Sequence, residues 1–435
     1  MSSEARVVRP DRSQPRWDLI DLEAMLPADH RARIVWQFVE SLDLSDLYSA
    51  IKSREGEAGR PAADPAVLMA LWLYATIEGV GSARALARLV ERDIAYRWIA
   101  GGVGLNYHGL ADFRVSHMAL LDRLLTEGVS ALVAEGLVSL EEVAVDGTKV
   151  RASASRNSYK TASRLEKIEA RVQERLAALK DELENDPAAT SRRQQAARER
   201  AAKDVADRVA KVRKALEKLQ EEKAKRAKTH KKDEEKKSEP KASLTDPEAH
   251  QMRFADGAVR PGYNAQIAAD IKSGVILSIE MTDRRNDAGL AVPMVNDLVK
   301  RYARAPKTLL VDTHYATAGD IVTLATREEG RVTVFAPPPR EGEDVKSLTL
   351  AKRLRARAKE PECLKEWRER MASEEGQQIY RRRKLIERIN AERKNHGFGF
   401  LPVRGLIKAQ AIALWHAIAH NLLAATRLRA KAQMA

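Results

Sequence analysis

A mixed α/β sheet, preceded by an all-helical region and interrupted by an inserted helical hairpin, is the fold class predicted by this 435-residue sequence. Three observations predict it. Apolar residues recur at helical spacing from about residue 17 to residue 135. Short apolar runs of strand length then alternate with helical segments. Between the first two strand zones lies a stretch of quite different composition: 40 of residues 161–240 are charged, 23 Lys or Arg against 17 Asp or Glu.

The helical region breaks into Arg31–Leu42, Pro65–Ile77, Ser82–Glu91, Ile94–Ala100 and Leu110–Glu135, with glycines such as Gly79, Gly81 and Gly101 as punctuation. Ala66–Ile77 is the most apolar run, too short to span a bilayer, and reads as a core helix. Arg84, Arg88, Arg92, Arg97 and Arg114 among these short helices permit a helix-turn-helix reading. An ordinary helical bundle with solvated arginines fits the same pattern equally well.

Val143–Gly147 reads as a strand carrying Asp146 at its end, although Asp-Gly is also an ordinary turn signal. Tyr263–Asp270 and Val275–Met281 form two further strand zones around the turn at Gly274. Asn286–Arg301 is helical, and Thr308–Asp312 is a buried-type strand ending on a second Asp. A helix and the strand Val332–Phe335 follow. Asp287 and Asp320 read as helix-start caps. In the insertion, Leu165, Ile168, Val172 and Leu176 recur every three or four residues, as do Val205, Val209, Val212, Leu216 and Leu219. That predicts a hairpin with a coiled-coil seam, then a mobile charged linker over 221–242. The hairpin could serve as a dimerisation arm, a DNA clamp or a solvated spacer.

Lys and Arg total 76 against 62 Asp and Glu, a net charge of +14, which points to a polyanionic partner, most often nucleic acid. Cys363 stands alone, excluding an intramolecular disulfide and a thiolate zinc cage. No apolar stretch is long enough for a membrane span and no signal core opens the chain, so the expectation is a soluble, intracellular protein.

The chemistry concentrates near the C-terminus. Tyr380, Arg383, Glu387 and Lys394 are separated by three, four and seven residues in a Pro-free run ending at Gly397. On one helix these four fall within roughly a 60° arc. Glu392 sits off that face. Glu387 with the two strand-end carboxylates, Asp146 and Asp312, makes three hard oxygen ligands suited to Mg²⁺ or Mn²⁺. A pair of such ions can activate a water and stabilise the leaving oxygen of a phosphodiester. Arg383 and Lys394 suit flanking phosphates, and Tyr380 a base or a phosphate.

These residues together resemble the bacterial insertion-sequence transposases of the DDE type, whose core is RNase H-like. Tyr380, Arg383, Glu387 and Lys394 meet that group's Tyr-x2-Arg-x3-Glu-x6-Lys signature. VDGTKVRASASRNSY is similar to its first-Asp segment, and LLVDTHYATAGD to its second. Thr245–Ala249, Gly262–Gln266 and the tail GFGFLPVRGLIKAQAIALWHAIAHNLL also match, as does RPAADPAVLMALWLYATIEGVGSARAL near the N-terminus. His314 and Ala391 depart from the pattern, which usually has Gly at both, and neither change removes a carboxylate.

The resemblance implies a catalytic domain over 141–160 and 243–400 and a helical DNA-binding domain over 1–140. The charged insertion then covers 161–242, and a helix over 401–435 packs on the core. It implies Asp146, Asp312 and Glu387 as catalytic, metal-binding carboxylates, and Tyr380, Arg383 and Lys394 as DNA contacts. The expected activity is metal-dependent cleavage and strand transfer at terminal inverted repeats. The expected partners are double-stranded repeat and target DNA, with a homodimer assembled on DNA at the nucleoid. A catalytically inactive DNA-binding remnant is the alternative, and a basic coiled-coil architectural protein ranks third.

Overall fold

The computed structural model describes residues 21–53, 61–185, 192–229, 239–313, 315–339 and 359–434. The N-terminal helices are α1 (Leu22–Met25), α2 (Arg31–Glu40), α3 (Ser45–Ser49), α4 (Pro65–Ile77), α5 (Ala83–Arg92), α6 (Ile94–Ala100), α7 (Tyr107–Ser116) and α8 (Met118–Ala134). Side chains cap several of them: Asp64 accepts from the Ala66 amide at α4, and Asp93 from Ala95 and Tyr96 at α6. α4 is apolar all round and nearly every residue in it is buried, as its composition requires. The expected single helix over Leu110–Glu135 is instead two. His117, at φ −116° and ψ 40°, has left the helical region and separates α7 from α8. Among the described residues no helix is long and apolar enough to cross a membrane.

The core sheet contains β1 (Glu142–Arg151), β5 (Val259–Asp270), β6 (Ile276–Thr282), β7 (Thr308–Leu310) and β8 (Thr333–Phe335), with β4 (His250–Arg253). β5 pairs antiparallel with β1 on one side and with β4 and β6 on the other. β7 joins β1 in parallel and β8 joins β7 in parallel. Three antiparallel strands continued by two parallel ones, with helices on both faces, are compatible with an RNase H-like core. α11 (Ala291–Tyr302) and α12 (Ala318–Ala325) precede and follow β7.

The insertion leaves this sheet through a small staple. β2 (Tyr159–Lys160) pairs with β3 (Ala242–Ser243), so the two ends of the insertion meet. α9 (Ala162–Asn185) and α10 (Arg192–Thr229) pack on each other through Leu165, Val209, Val212 and Leu216, a cluster separate from the main core. α10 continues to Thr229, past the predicted start of a linker at 221. Its Glu, Lys and Ala residues are strong helix formers and need no apolar seam to stay helical. Residues 230–238 of that linker lie outside the described residues.

After β8 come α13 (Glu362–Ala372), α14 (Glu374–Arg381), α15 (Lys384–Arg393), a π turn over Lys394–Phe398, and α16 (Leu406–Met434). The signature run is therefore not one continuous helix. At Arg382 and Arg383 the amides bond three residues back, to Ile379 and Tyr380, which ends α14 and restarts the chain as α15. Gly397, at φ 92°, then turns the chain while passing the backbone of Gly79.

α16 buries Ile412, Leu414, Trp415 and Ile418 in one apolar core that runs from the N-terminal helices into the sheet. Trp415 donates to the Arg114 carbonyl of α7, and Asn421 bonds both backbone groups of Ile276 on β6. Its start is held by the segments around residues 246 and 263. Buried Asp246 accepts from Tyr263 Oη through both oxygens at 2.8 Å and from the Gly405 amide, while Glu248 accepts from the Leu406 amide.

Two histidines of α16 are buried neutral. Burial, with Arg393 nearby, lowers His416 from 6.5 to about 3 and His420 to about 4. Below pH 6.5 the unfolded chain therefore binds protons that the folded chain refuses, so stability falls as the pH drops. Thermal and urea unfolding should show a loss of about 3–4 kcal/mol between pH 7 and pH 5. The profile should flatten in a His416→Leu/His420→Gln variant.

Candidate active site

β1 carries Asp146 at a position where the sheet opens. Its parallel pairing with β7 stops at Ala144↔Leu310, so Asp146 and Asp312 each lie two residues beyond the last paired rung. Equal offsets on neighbouring parallel strands put both carboxylates on one face. Asp146 does not end its strand, contrary to the sequence expectation. β1 runs on to Arg151, paired throughout with β5, so the Asp-Gly pair makes no turn.

α15 packs over this face and supplies the rest. Arg383 donates from one guanidinium nitrogen to Asp146 Oδ1 and from the other to Glu387 Oε1, each at 2.7 Å. Asn390 donates to the second oxygen of Asp146 at 2.8 Å. Asn390 lies three residues after Glu387 and seven after Arg383, so helical spacing alone would have put it on the signature face. Glu392 points elsewhere, toward Arg388. Asp312 is exposed, and Lys394 is exposed within electrostatic reach of Asp146. Tyr380 is partly buried, and its hydroxyl is pushed up by burial and by the nearby Asp312, Glu387 and Asp146.

The charges at this face are poorly screened. Burial raises Asp146 above the ordinary carboxylate value; Arg383 works against that, and the repulsion of Asp287 and Asp312 adds to it. Burial pulls Arg383 down, but Asp146, Tyr380, Asp312 and Glu387 together outweigh it and hold the guanidinium firmly charged. Asp146 and Glu387 thus share one cation, on which Asp312 also acts electrostatically. Among the described residues no group of three His, Cys, Asp or Glu stands close enough to hold a metal ion. The donor set itself fits a hard divalent ion: carboxylates from three elements, already gathered around a positive charge.

Asp287 is a residue that the sequence reading misassigned. It does not cap a helix with its side chain. Its Oδ1 accepts from Asn264 and Gln266 of β5 and lies 3.7 Å from Lys149 Nζ. Lys149 and Gly147 pair with Asn264 and Gln266, so this cluster occupies the face of β1 opposite Asp146. Gly147 makes room for it, since a Cβ there would run into the Asp287 carboxylate. Asp320, in contrast, closes a capping box with Thr317 at the start of α12, as expected. His314 lies outside the described residues.

Residues 224–422 match the family model described as Transposase DDE domain, and residues 20–115 match a second, described as Transposase domain (DUF772). The chain belongs to the insertion-sequence DDE transposases. Comparison with curated proteins and with solved structures gives no match. Asp312 and the four signature residues of the transposase fall within the first matched span, and Asp146 lies between the two spans.

Of the arginines proposed for groove contacts, Arg84, Arg88 and Arg92 line one exposed side of α5. Arg114 does not join them. It is buried over the ring of Trp72, bonds the Gly81 carbonyl, and is lowered by burial to about 10.

The fit of Asp287 over Gly147 can be measured by a double-mutant cycle. Gly147→Ala should cost about 1–3 kcal/mol of stability in urea unfolding. In an Asp287→Ala background the same change should cost clearly less, because the atom it strikes is gone.

Proposed function

We propose that the transposase cuts and joins DNA at the ends of its own element, using Asp146, Asp312 and Glu387 as the catalytic carboxylates and the ligands of Mg²⁺ or Mn²⁺. The observation that carries this reading is the Arg383 guanidinium bonded to both Asp146 of β1 and Glu387 of α15, with Asp312, just beyond β7, acting electrostatically on the same group. Divalent ions bound there would activate the attacking hydroxyl and stabilise the leaving oxygen.

The chain's own groups set the substrate. Lys394 and Arg383 pair with phosphates flanking the scissile bond. Tyr380, held half-buried beside the carboxylates, stacks on a base or bonds a phosphate. In the first step a water oxygen bonds to phosphorus and the bond to the 3′-oxygen breaks, leaving a 3′-hydroxyl. In the second, that hydroxyl attacks a target phosphodiester and displaces the target's own 3′-oxygen. In each attack the nucleophile gives up a proton and the departing 3′-oxygen takes one up, so both steps end with a 3′-hydroxyl.

In this reading residues 141–160 and 243–400 carry the chemistry. Residues 1–140 hold double-stranded DNA, with the α5 arginine row as the first contact, and residues 401–435 close the core. The paired helices of the insertion over 161–242 form a coiled-coil arm. Two copies meet on the paired terminal repeats at the nucleoid.

Labelled DNA carrying the flanking inverted repeats tests the proposal directly, incubated with Mg²⁺, Mn²⁺ or EDTA. Metal-dependent cutting at the repeat boundary is expected, with a fall of about 100-fold or more in Glu387→Gln. Specific binding with no cutting in either metal would leave a DNA-binding remnant in place of an enzyme.

A further inference from the structure

We infer that Arg383 is the resting counter-ion of the three carboxylates, and that DNA opens the metal site by drawing this guanidinium onto its phosphates. The inference rests on the metal-dependent reading above and adds an order of events to it.

The geometry leaves little choice. The Arg383 side chain is only 10% exposed and spans Asp146 and Glu387 with two 2.7 Å bonds. Asp312 acts on the same guanidinium. One oxygen of Asp146 faces Arg383 and the other is held by Asn390, so Asp146 has no oxygen without a donor. A divalent ion bound to these carboxylates would stand against a guanidinium at the same oxygens. Like charges so close repel strongly in a partly buried setting. One cation must therefore leave for the other to bind.

Arg383 is built to leave. It sits in the junction between α14 and α15, where bonds to the third residue back replace the regular helical ladder. Its Nε is buried with no hydrogen-bond partner, so the seat satisfies the guanidinium only in part. Glu387, one of its two anchors, is 56% exposed and marks the way out. A phosphate offers the same bidentate acceptor geometry as a carboxylate. DNA that takes Arg383 frees Asp146 and Glu387 at once and removes the cation that acts on Asp312, and by linkage metal that loads the carboxylates hands Arg383 to DNA.

Mn²⁺ binding to the full-length protein, followed by the electron paramagnetic resonance of free Mn²⁺, tests this without any turnover. Without DNA, Arg383→Ala should bind Mn²⁺ about 10-fold more tightly than wild type, while Arg383→Lys, which keeps the charge, should bind as weakly as wild type. A duplex carrying the inverted repeat should tighten Mn²⁺ binding by wild type about 10-fold and by Arg383→Ala much less. Equal or weaker Mn²⁺ binding by folded Arg383→Ala would overturn the inference. So would a duplex that leaves wild-type binding unchanged, a result that needs no variant to fold. Asp146→Asn separates the two levels. Loss of binding in that variant keeps the metal site even where the Arg383 results fail, whereas unchanged binding removes the metal site and the inference with it.

Discussion

The two hydrogen bonds of Arg383 to Asp146 and Glu387 are the interaction on which the site depends. Three carboxylates brought from separate elements repel one another, and burial of Asp146 adds a desolvation cost. Removing one partner of a buried pair leaves the other charge uncompensated, which is costlier than never burying the pair. The guanidinium offsets that repulsion where α15, anchored in the core by Ile386 and Ile389, lies over β1. Arg382 reinforces the same contact with a bond to Glu142 at the start of β1.

β1 itself is fixed from both faces. On one, Asp146 meets α15; on the other, Gly147 and Lys149 meet Asp287 across β5 residues Asn264 and Gln266. A bare backbone at Gly147 lets Asp287 sit against the strand, so the residue beside Asp146 serves packing and not a turn. The strand's far end is covered as well. Arg151 exchanges backbone bonds with Gly399 and Leu401, so the chain leaving the signature helix returns to the strand that bears Asp146. α16 then carries this order into the N-terminal helices through a single continuous core. A contact made by those helices is therefore mechanically joined to the sheet.

Much of this was legible in the sequence, and the failures share a cause. Strand lengths of apolar runs gave β5, β6, β7 and β8 nearly at their true bounds, because burial on both faces leaves a local composition signal. The offsets in the signature gave the shared face of Arg383 and Glu387, while Asn390 on that same face went unread and Tyr380 lies on the preceding helix. What escaped was non-local. β1 extends beyond Gly147 because β5 pairs with it, and nothing near residue 147 announces a partner over a hundred residues away. Asp287 looked like a cap because the groups that donate to it lie on strands that only the fold brings beside it. The break between α14 and α15 has no Pro or Gly to mark it; it follows from where Arg382 and Arg383 find their carboxylates.

The charge of the chain must be read with the same care. A surplus of 14 positive charges predicts a polyanion as partner, but several cations are spent internally. Arg114 and Arg393 are buried, and Arg301 is held by Asp122 and Asp297. The site itself is locally acidic: burial raises the Asp146 carboxyl, and the charge of Asp312 adds to that. A phosphate backbone approaching three carboxylates is repelled unless cations stand between. Lys394 is exposed, Tyr380 half-buried and Arg383 seated, and all three act electrostatically with Asp146. Sequence-wide basicity can bring DNA to the protein, but only cations at this rim can hold a phosphate against the carboxylates. On the function proposed above, that requirement accounts for the proposed carboxylate Glu387 and the cations Arg383 and Lys394 occupying one short stretch of chain.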